Sequence, residues 1–340
     1  MIPCRMEEQN TNIQLSLNEQ DQIQGLFFKP YKSQKKAAKA PDGVKEREVE
    51  LQIADGKKLS GRLTTPAEGK SFPLVILLAG SGPNDMDETI YDNKPFQDIA
   101  WGLAKKGIAS YRYDKRTYTY PESFTVKDTV EQEVIFDAVA AFSQMKQQKQ
   151  IDTNKIYILG HSLSGYLIPR IAAETDGCAG YIMMAAPARA LDELLMEQVT
   201  YLAKLDGNIT KDEQAAIEQY KQDQQDLQRI DELSDAKILF GGMSKAYIKD
   251  LLSYDAVQQA ADIKVPVLCA QGLRDYQVTE EDQAIWRKNF ETHKNWKFTT
   301  YPNATHLMID GEGTPTNEEY KTKGHVNQAF IEDIASFIKK

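Results

Sequence analysis

KIYILGHSLSG (residues 155–165) is the stretch on which the fold turns. Ile156, Tyr157, Ile158 and Leu159 form a continuous apolar run, as expected of a strand buried on both faces of a sheet. Gly160 closes it, and a helix pattern begins at about residue 163. Between them, Gly160-His161-Ser162-Leu163-Ser164 nearly fits G-x-S-x-G, a strand-to-helix elbow that holds a serine out at the carboxyl end of its strand. The first glycine permits the tight turn. The second normally lets helix and strand approach closely, and here Ser164 stands in its place.

The same rhythm continues on both sides. Upstream, REVELQI and KLSGRLTT flank Ala54-Asp55-Gly56 and predict a hairpin. PLVILLAG (73–80) predicts a buried strand, residues 95–106 a helix and IASYRYD (108–114) the next strand. Residues 127–147 place Val130, Val134, Ile135, Ala138, Ala141 and Phe142 at helical spacing. Downstream, GYIMMAAP (180–187), VPVLCAQG (265–272) and WKFTTYP (296–302) predict strands, with helices at 279–290 and 326–339. Such alternation implies a parallel sheet with helices on both faces, an α/β fold.

Residues 188–255 interrupt it. They are rich in Gln, Glu and Asp and read as several helices without a buried strand, hence a helical lid over one end of the sheet. Its apolar residues Leu194, Leu195, Tyr201, Leu202, Leu251 and Leu252 are expected to face the serine and line an acyl pocket. The division expected is a hairpin and linker (1–45), a leading core segment (46–187), the helical insertion (188–255) and a closing core segment (256–340). The hairpin falls around Asn18–Asp21, and residues 31–45 read as a basic linker.

Composition narrows the function. The 340 residues carry 41 basic and 50 acidic side chains, a net charge of −9, which argues against nucleic acid and anionic membrane surfaces as partners. No apolar run approaches the roughly 18 residues of a membrane helix. Cys4, Cys178 and Cys269 make no disulfide framework or paired Cys-x-x-Cys site, and four histidines make no His-rich metal cluster. No signal peptide is visible at MIPCRMEEQN, so a cytoplasmic location is the expectation.

In an open parallel sheet, ligands bind beyond the carboxyl ends of the strands. Asp275, in Gly272-Leu273-Arg274-Asp275, follows one predicted strand, and His306, in Asn303-Ala304-Thr305-His306, follows the last. A serine nucleophile needs a base to take its proton and an acid to orient that base. Ser162, Asp275 and His306 supply these in the chain order Ser, Asp, His. The backbone N–H of Leu163 and that of Ser81, in Ala79-Gly80-Ser81-Gly82-Pro83, are the expected oxyanion donors, with Gly82 next. His161 reads as a structural hydrogen-bonder, His293 as a surface residue and His325 as structural. Asp114-Lys115-Arg116 reads as a brace between loops. Cys178 and Cys269 read as core thiols.

LLAGSGPNDMDET, YRYDKR, ILGHSLSG, KDLLSYD, QGLRDYQVT and GHVNQAFIEDIASFI resemble the α/β-hydrolase superfamily, and within it bacterial esterases grouped with serine aminopeptidase-like hydrolases. The resemblance covers about residues 46–340. It implies Ser162 as nucleophile, Asp275 as acid, His306 as base, Ser81 and Leu163 as oxyanion donors, and a helical cap at about 188–255. It departs at Leu163 and Ser164 around the serine, at Thr117 after DKR and at Thr305 before the histidine. In some relatives a small domain precedes the hydrolase, and the hairpin at 12–29 resembles its end. A carboxylesterase on a small-molecule acyl ester, needing no metal or organic cofactor, is the reading. Peptidase or amidase, acyltransferase or thioesterase, and a non-catalytic binding protein of the same fold are its rivals.

Overall fold

Eight strands form the central sheet of the computed structural model: β1 (Val44–Glu48), β2 (Gly61–Pro66), β3 (Phe72–Leu78), β4 (Ala109–Tyr113), β5 (Ile151–His161), β6 (Gly180–Met184), β7 (Val267–Gly272) and β8 (Trp296–Tyr301). Their order is β8-β7-β6-β5-β3-β4-β2-β1. Every pair from β4 to β8 across β3 is parallel. The first two strands join antiparallel, β1 on β2 and β2 on β4. The structure describes residues 2–5, 10–17, 23–30 and 39–340. It divides into two compact units, Met1–Ala40 and Pro41–Lys340.

The near-continuous apolar runs of the parallel strands are buried on both faces, as a sheet covered on two sides requires. On one face Leu74, Ile76, Tyr111, Ile156 and Ile158 pack with helix residues Ala138, Ala141 and Phe142. On the other, Val75, Leu77, Leu159 and Ile182 pack with Leu103 and with Phe330, Ile331 and Ile334 of the last helix, Gln328–Ile338. Cys178 and Cys269 are buried free thiols, and burial pushes them up to about 11 and about 12.

Three details differ from the sequence reading. The predicted 127–147 helix starts as a π-helical turn, Glu131–Ile135, before the α-helix Phe136–Met145. The helix after Ser162 breaks into Leu163–Tyr166 and Ile168–Glu174, because Pro169 has no N–H to continue the ladder. The first strand of the large unit already begins at Val44, and the expected hairpin carries a second, smaller pairing of Leu51–Gln52 with Lys58–Leu59.

Between β6 and β7 lie the helices Leu191–Ala203, Lys211–Leu227, Lys245–Leu252 and Ala256–Ala260. A two-residue strand pair, Ile238–Leu239 with Met243–Ser244, joins them, where no strand is expected. Leu239, Phe240 and Ile248 form the insertion's own small core. A Thr210–Glu213 capping box starts its longest helix.

The small unit is a three-stranded antiparallel sheet of Ile2–Arg5, Asn10–Leu17 and Ile23–Pro30. Two of its strands are the expected hairpin, and the first is an addition. The turn expected at 18–21 and the linker residues 31–38 lie outside the described residues.

Candidate active site

Ser162 stands where β5 gives way to its helix, with φ 52° and ψ −118°. A non-glycine residue rarely adopts positive φ, at a cost of about 1–3 kcal/mol that the surroundings must hold in place. Two constraints do so. The Ser162 N–H donates to the Met184 carbonyl at 2.9 Å, and a Cβ on Gly160 would run into the Ser164 backbone. The serine in place of the second elbow glycine has a use. Ser164 is fully buried, and its hydroxyl donates to the Ala79 carbonyl at 2.5 Å, tying the elbow to the loop after β3. The close approach falls to Gly165, where a Cβ would stand 2.8 Å from that of Ala186.

Asp275 and His306 leave the ends of β7 and β8. His306 Nδ1–H donates to Asp275 Oδ2 at 2.6 Å. The N–H groups of Gln277 (2.8 Å) and Val278 (3.0 Å) donate to Asp275 Oδ1, and the Gln271 amide donates to Oδ2 at 3.2 Å. These donors fix the carboxylate in position beside the imidazole. Its bond to Nδ1 leaves Nε2 as the basic nitrogen of His306. Ser162, His306, Ser81 and Leu163 line one pocket, with Leu191, Leu194, Leu195 and Leu251 from the insertion. Arg189 also lines it, but Glu197, Glu281 and Asp282 hold its guanidinium at 2.6, 3.1 and 2.8 Å.

The loop after β3 is fixed from several directions. Glu88 accepts the Gly80 N–H at 2.6 Å, and Lys115 Nζ donates to the Gly80 carbonyl at 2.7 Å. Lys115 also pairs with Glu133 at 2.5 Å, and Glu133 accepts the Gly82 N–H at 3.2 Å. Gly82 therefore has its amide engaged. Among the described residues, the N–H groups of Ser81 and Leu163 have no hydrogen-bond partner. The expected bracing by Lys115 thus acts on the loop carrying Ser81.

His161 is buried behind the pair. Its Nε2–H donates to the His306 carbonyl at 2.9 Å, and its Nδ1 meets Glu88 at 2.8 Å. Burial disfavours the charged imidazole, but the Glu88 carboxylate outweighs it and the pKa is raised. The Glu88–His161 pair therefore joins the Ser81 loop to the His306 loop. His293 is exposed at a helix end, and His325 pairs with Asp98 at 3.1 Å on the surface.

Of the insertion residues expected to face the serine, Leu194, Leu195 and Leu251 line its pocket. The other three do not. Tyr201 stacks on Tyr276 and donates to the Pro315 carbonyl. Leu202 and Leu252 are exposed. Helical spacing gives the apolar face of each helix but not the direction in which that face docks. The sequence reading missed Glu88, Glu133 and Tyr247. Acidic residues in NDMDET were a signal for the first. The other two sit in ordinary helix patterns.

Comparison with known proteins bears on the family and the fold. The family described as "Serine aminopeptidase, S33" matches residues 93–313. Esterase EstD of Thermotoga maritima is 39% identical over 328 residues, 96% of this chain and 76% of that protein. Among solved structures, Est1E from Butyrivibrio proteoclasticus superposes with a TM-score of 0.55 at 18% identity, covering 86% of this chain and 99% of that one. A Pyrococcus horikoshii acylaminoacyl peptidase gives 0.56 at 15% identity, covering 88% of this chain and 41% of that one. These two show the fold alone. No helix among the described residues is long and apolar enough to cross a membrane. With the parallel sheet, the strained serine turn and the family match over most of its large unit, the chain belongs to the serine aminopeptidase S33 family of α/β-hydrolases.

Proposed function

We propose that the protein is a carboxylesterase that works through Ser162, His306 and Asp275. The observation that carries this is the Asp275–His306 hydrogen bond opening onto the pocket that holds Ser162. The 39% identical Esterase EstD narrows the bond cleaved to an ester. Ser162 Oγ attacks the carbonyl carbon while His306 Nε2 takes its proton. The Ser81 and Leu163 N–H groups hold the oxyanion. The C–O ester bond breaks, His306 returns the proton to the departing alcohol, and an acyl-serine remains. Water, deprotonated by His306, then splits the acyl-serine to a carboxylic acid and free serine. Asp275 holds the imidazole in the required tautomer throughout. The helical insertion acts as a lid that lines the pocket and excludes water.

The test is hydrolysis of p-nitrophenyl esters, acetate to decanoate, by wild type and Ser162→Ala. Turnover that vanishes in the variant supports the assignment, and turnover that survives overturns it. Aminoacyl p-nitroanilides separate the second reading, a peptidase, which the family's description favours. Preference for the anilides would replace the esterase reading.

A further inference from the structure

A second cleft adjoins the pocket of Ser162 and shares Ser81, Met243 and Tyr247 with it. The pocket holding Ser162 and His306 has a volume of about 120 Å³, and the cleft about 600 Å³. Sites for small organic ligands span about 300–1,000 Å³. The first falls below that range and the second within it.

The two spaces differ in what lines them. The smaller contains His306 together with Gln277 and Val278 of the acid loop. The cleft contains no residue of the Asp275 or His306 loops. It is built from the Ser81 loop, the 117–126 segment and the insertion's strand pair. Its walls include Phe124, Val126, Ile238 and Phe240. Val126 and Ile238 are 42% and 47% exposed, so the cleft offers accessible apolar side chains to a ligand. Glu133 also lines the cleft, but Lys115, Tyr247 and the Gly82 N–H hold its carboxylate. Burial and that carboxylate hold the Tyr247 phenol well above its ordinary pKa, so it stays a donor to Glu133.

The chemistry then orients the substrate. His306 must hand its proton to the departing oxygen, so the alcohol half lies on the His306 side. The acyl half leaves the carbonyl carbon in the other direction, past Ser81. We propose that the cleft between the Ser81 loop and the strand pair Ile238–Ser244 is the acyl subsite, and that it takes an uncharged, apolar alkyl or aryl acyl group. The alcohol half occupies the smaller pocket beside Leu195 and Gln198. This rests on the esterase reading and reverses the expectation that the helix residues Leu194 and Leu195 line the acyl pocket.

Two substrate series separate the halves. One varies the acyl group, p-nitrophenyl acetate to decanoate. The other varies the alcohol, methyl to octyl acetate, followed by acid release. Ile238→Asp and, independently, Val126→Asp place a charge in the cleft at exposed positions. Leu195→Trp fills the smaller pocket. The Asp variants are expected to lower the decanoate-to-acetate ratio of kcat/KM by about tenfold and to leave the octyl-to-methyl ratio in place. Leu195→Trp is expected to do the converse. An unmoved acyl ratio in both Asp variants, or a shift in the alcohol ratio instead, overturns the subsite while the esterase reading stands. A wild type that turns over no ester in either series overturns both.

Discussion

Replacing Lys115 with Met tests whether a buried ion pair fixes the loop that carries Ser81. Lys115 and Glu133 are each about 5–6% exposed in their side chains, with Nζ and Oε1 2.5 Å apart. At that 2.5 Å separation, unit charges attract by about 7 kcal/mol in an effective dielectric of about 20. Desolvation costs several kcal/mol per ion, so the intact pair contributes little net stability over a well-packed neutral one. Removing Lys115 alone is different. Glu133 stays buried with only the Tyr247 hydroxyl and the Gly82 N–H donating to it. Such a stranded charge costs about 3–5 kcal/mol. The Gly80 carbonyl also loses the shorter of its two side-chain donors and keeps only the Asn84 amide at 3.2 Å, which loosens the Ser81 amide, and loss of one oxyanion donor costs about 10²–10³ in kcat. Urea unfolding followed by circular dichroism, with p-nitrophenyl acetate turnover, measures both. Lys115→Met/Glu133→Gln removes both charges and is expected to recover at least about 1 kcal/mol relative to Lys115→Met. A single-variant loss under about 1 kcal/mol, or a double variant whose loss equals the sum of the singles, refutes the reasoning.

Three further outcomes are expected. Asp275→Asn keeps the hydrogen-bonding shape but removes the charge and favours the wrong tautomer, so kcat should fall by about 10⁴ with KM little changed; a fall under tenfold would remove Asp275 from the acid role. The raised pKa of His161 means that the folded state favours its charged form. That stabilisation is complete below the unfolded value of about 6.5 and is lost as pH rises through the folded value. Urea midpoints taken upward from pH 6 should therefore decline in wild type and decline less in Glu88→Gln, and parallel curves would count against the Glu88–His161 pair as their source. Ser164→Ala leaves the buried Ala79 carbonyl without the hydroxyl that reaches it at 2.5 Å. It should destabilise by about 1–3 kcal/mol and slow turnover, checked by the same unfolding assay, and a neutral result would mean that the contact does not tie the elbow to the loop.

The elements whose signal is local were legible in the sequence. The central parallel strands are apolar runs closed by a turn, because burial on both faces demands it, while the edge strand Trp296–Tyr301 is only half-buried along its middle. Ser162, Asp275 and His306 come after the ends of three parallel strands, so strand direction alone puts them at one end of the sheet. Only the tertiary structure brings Glu88, Lys115, Glu133 and Tyr247 to one loop. They come from a turn at positive φ, a strand end, a π-helical turn and an insertion helix, and none announces the others in sequence. The insertion shows the same division. Its periodicity identifies helices and their apolar faces. Which leucines meet the pocket and which face solvent is decided by docking against the sheet and by the small core of Leu239, Phe240 and Ile248. Local patterns specify elements, because propensity and burial act residue by residue. The width of a cleft and the partner of a buried charge depend on contacts between distant segments, which exist only once the chain has packed.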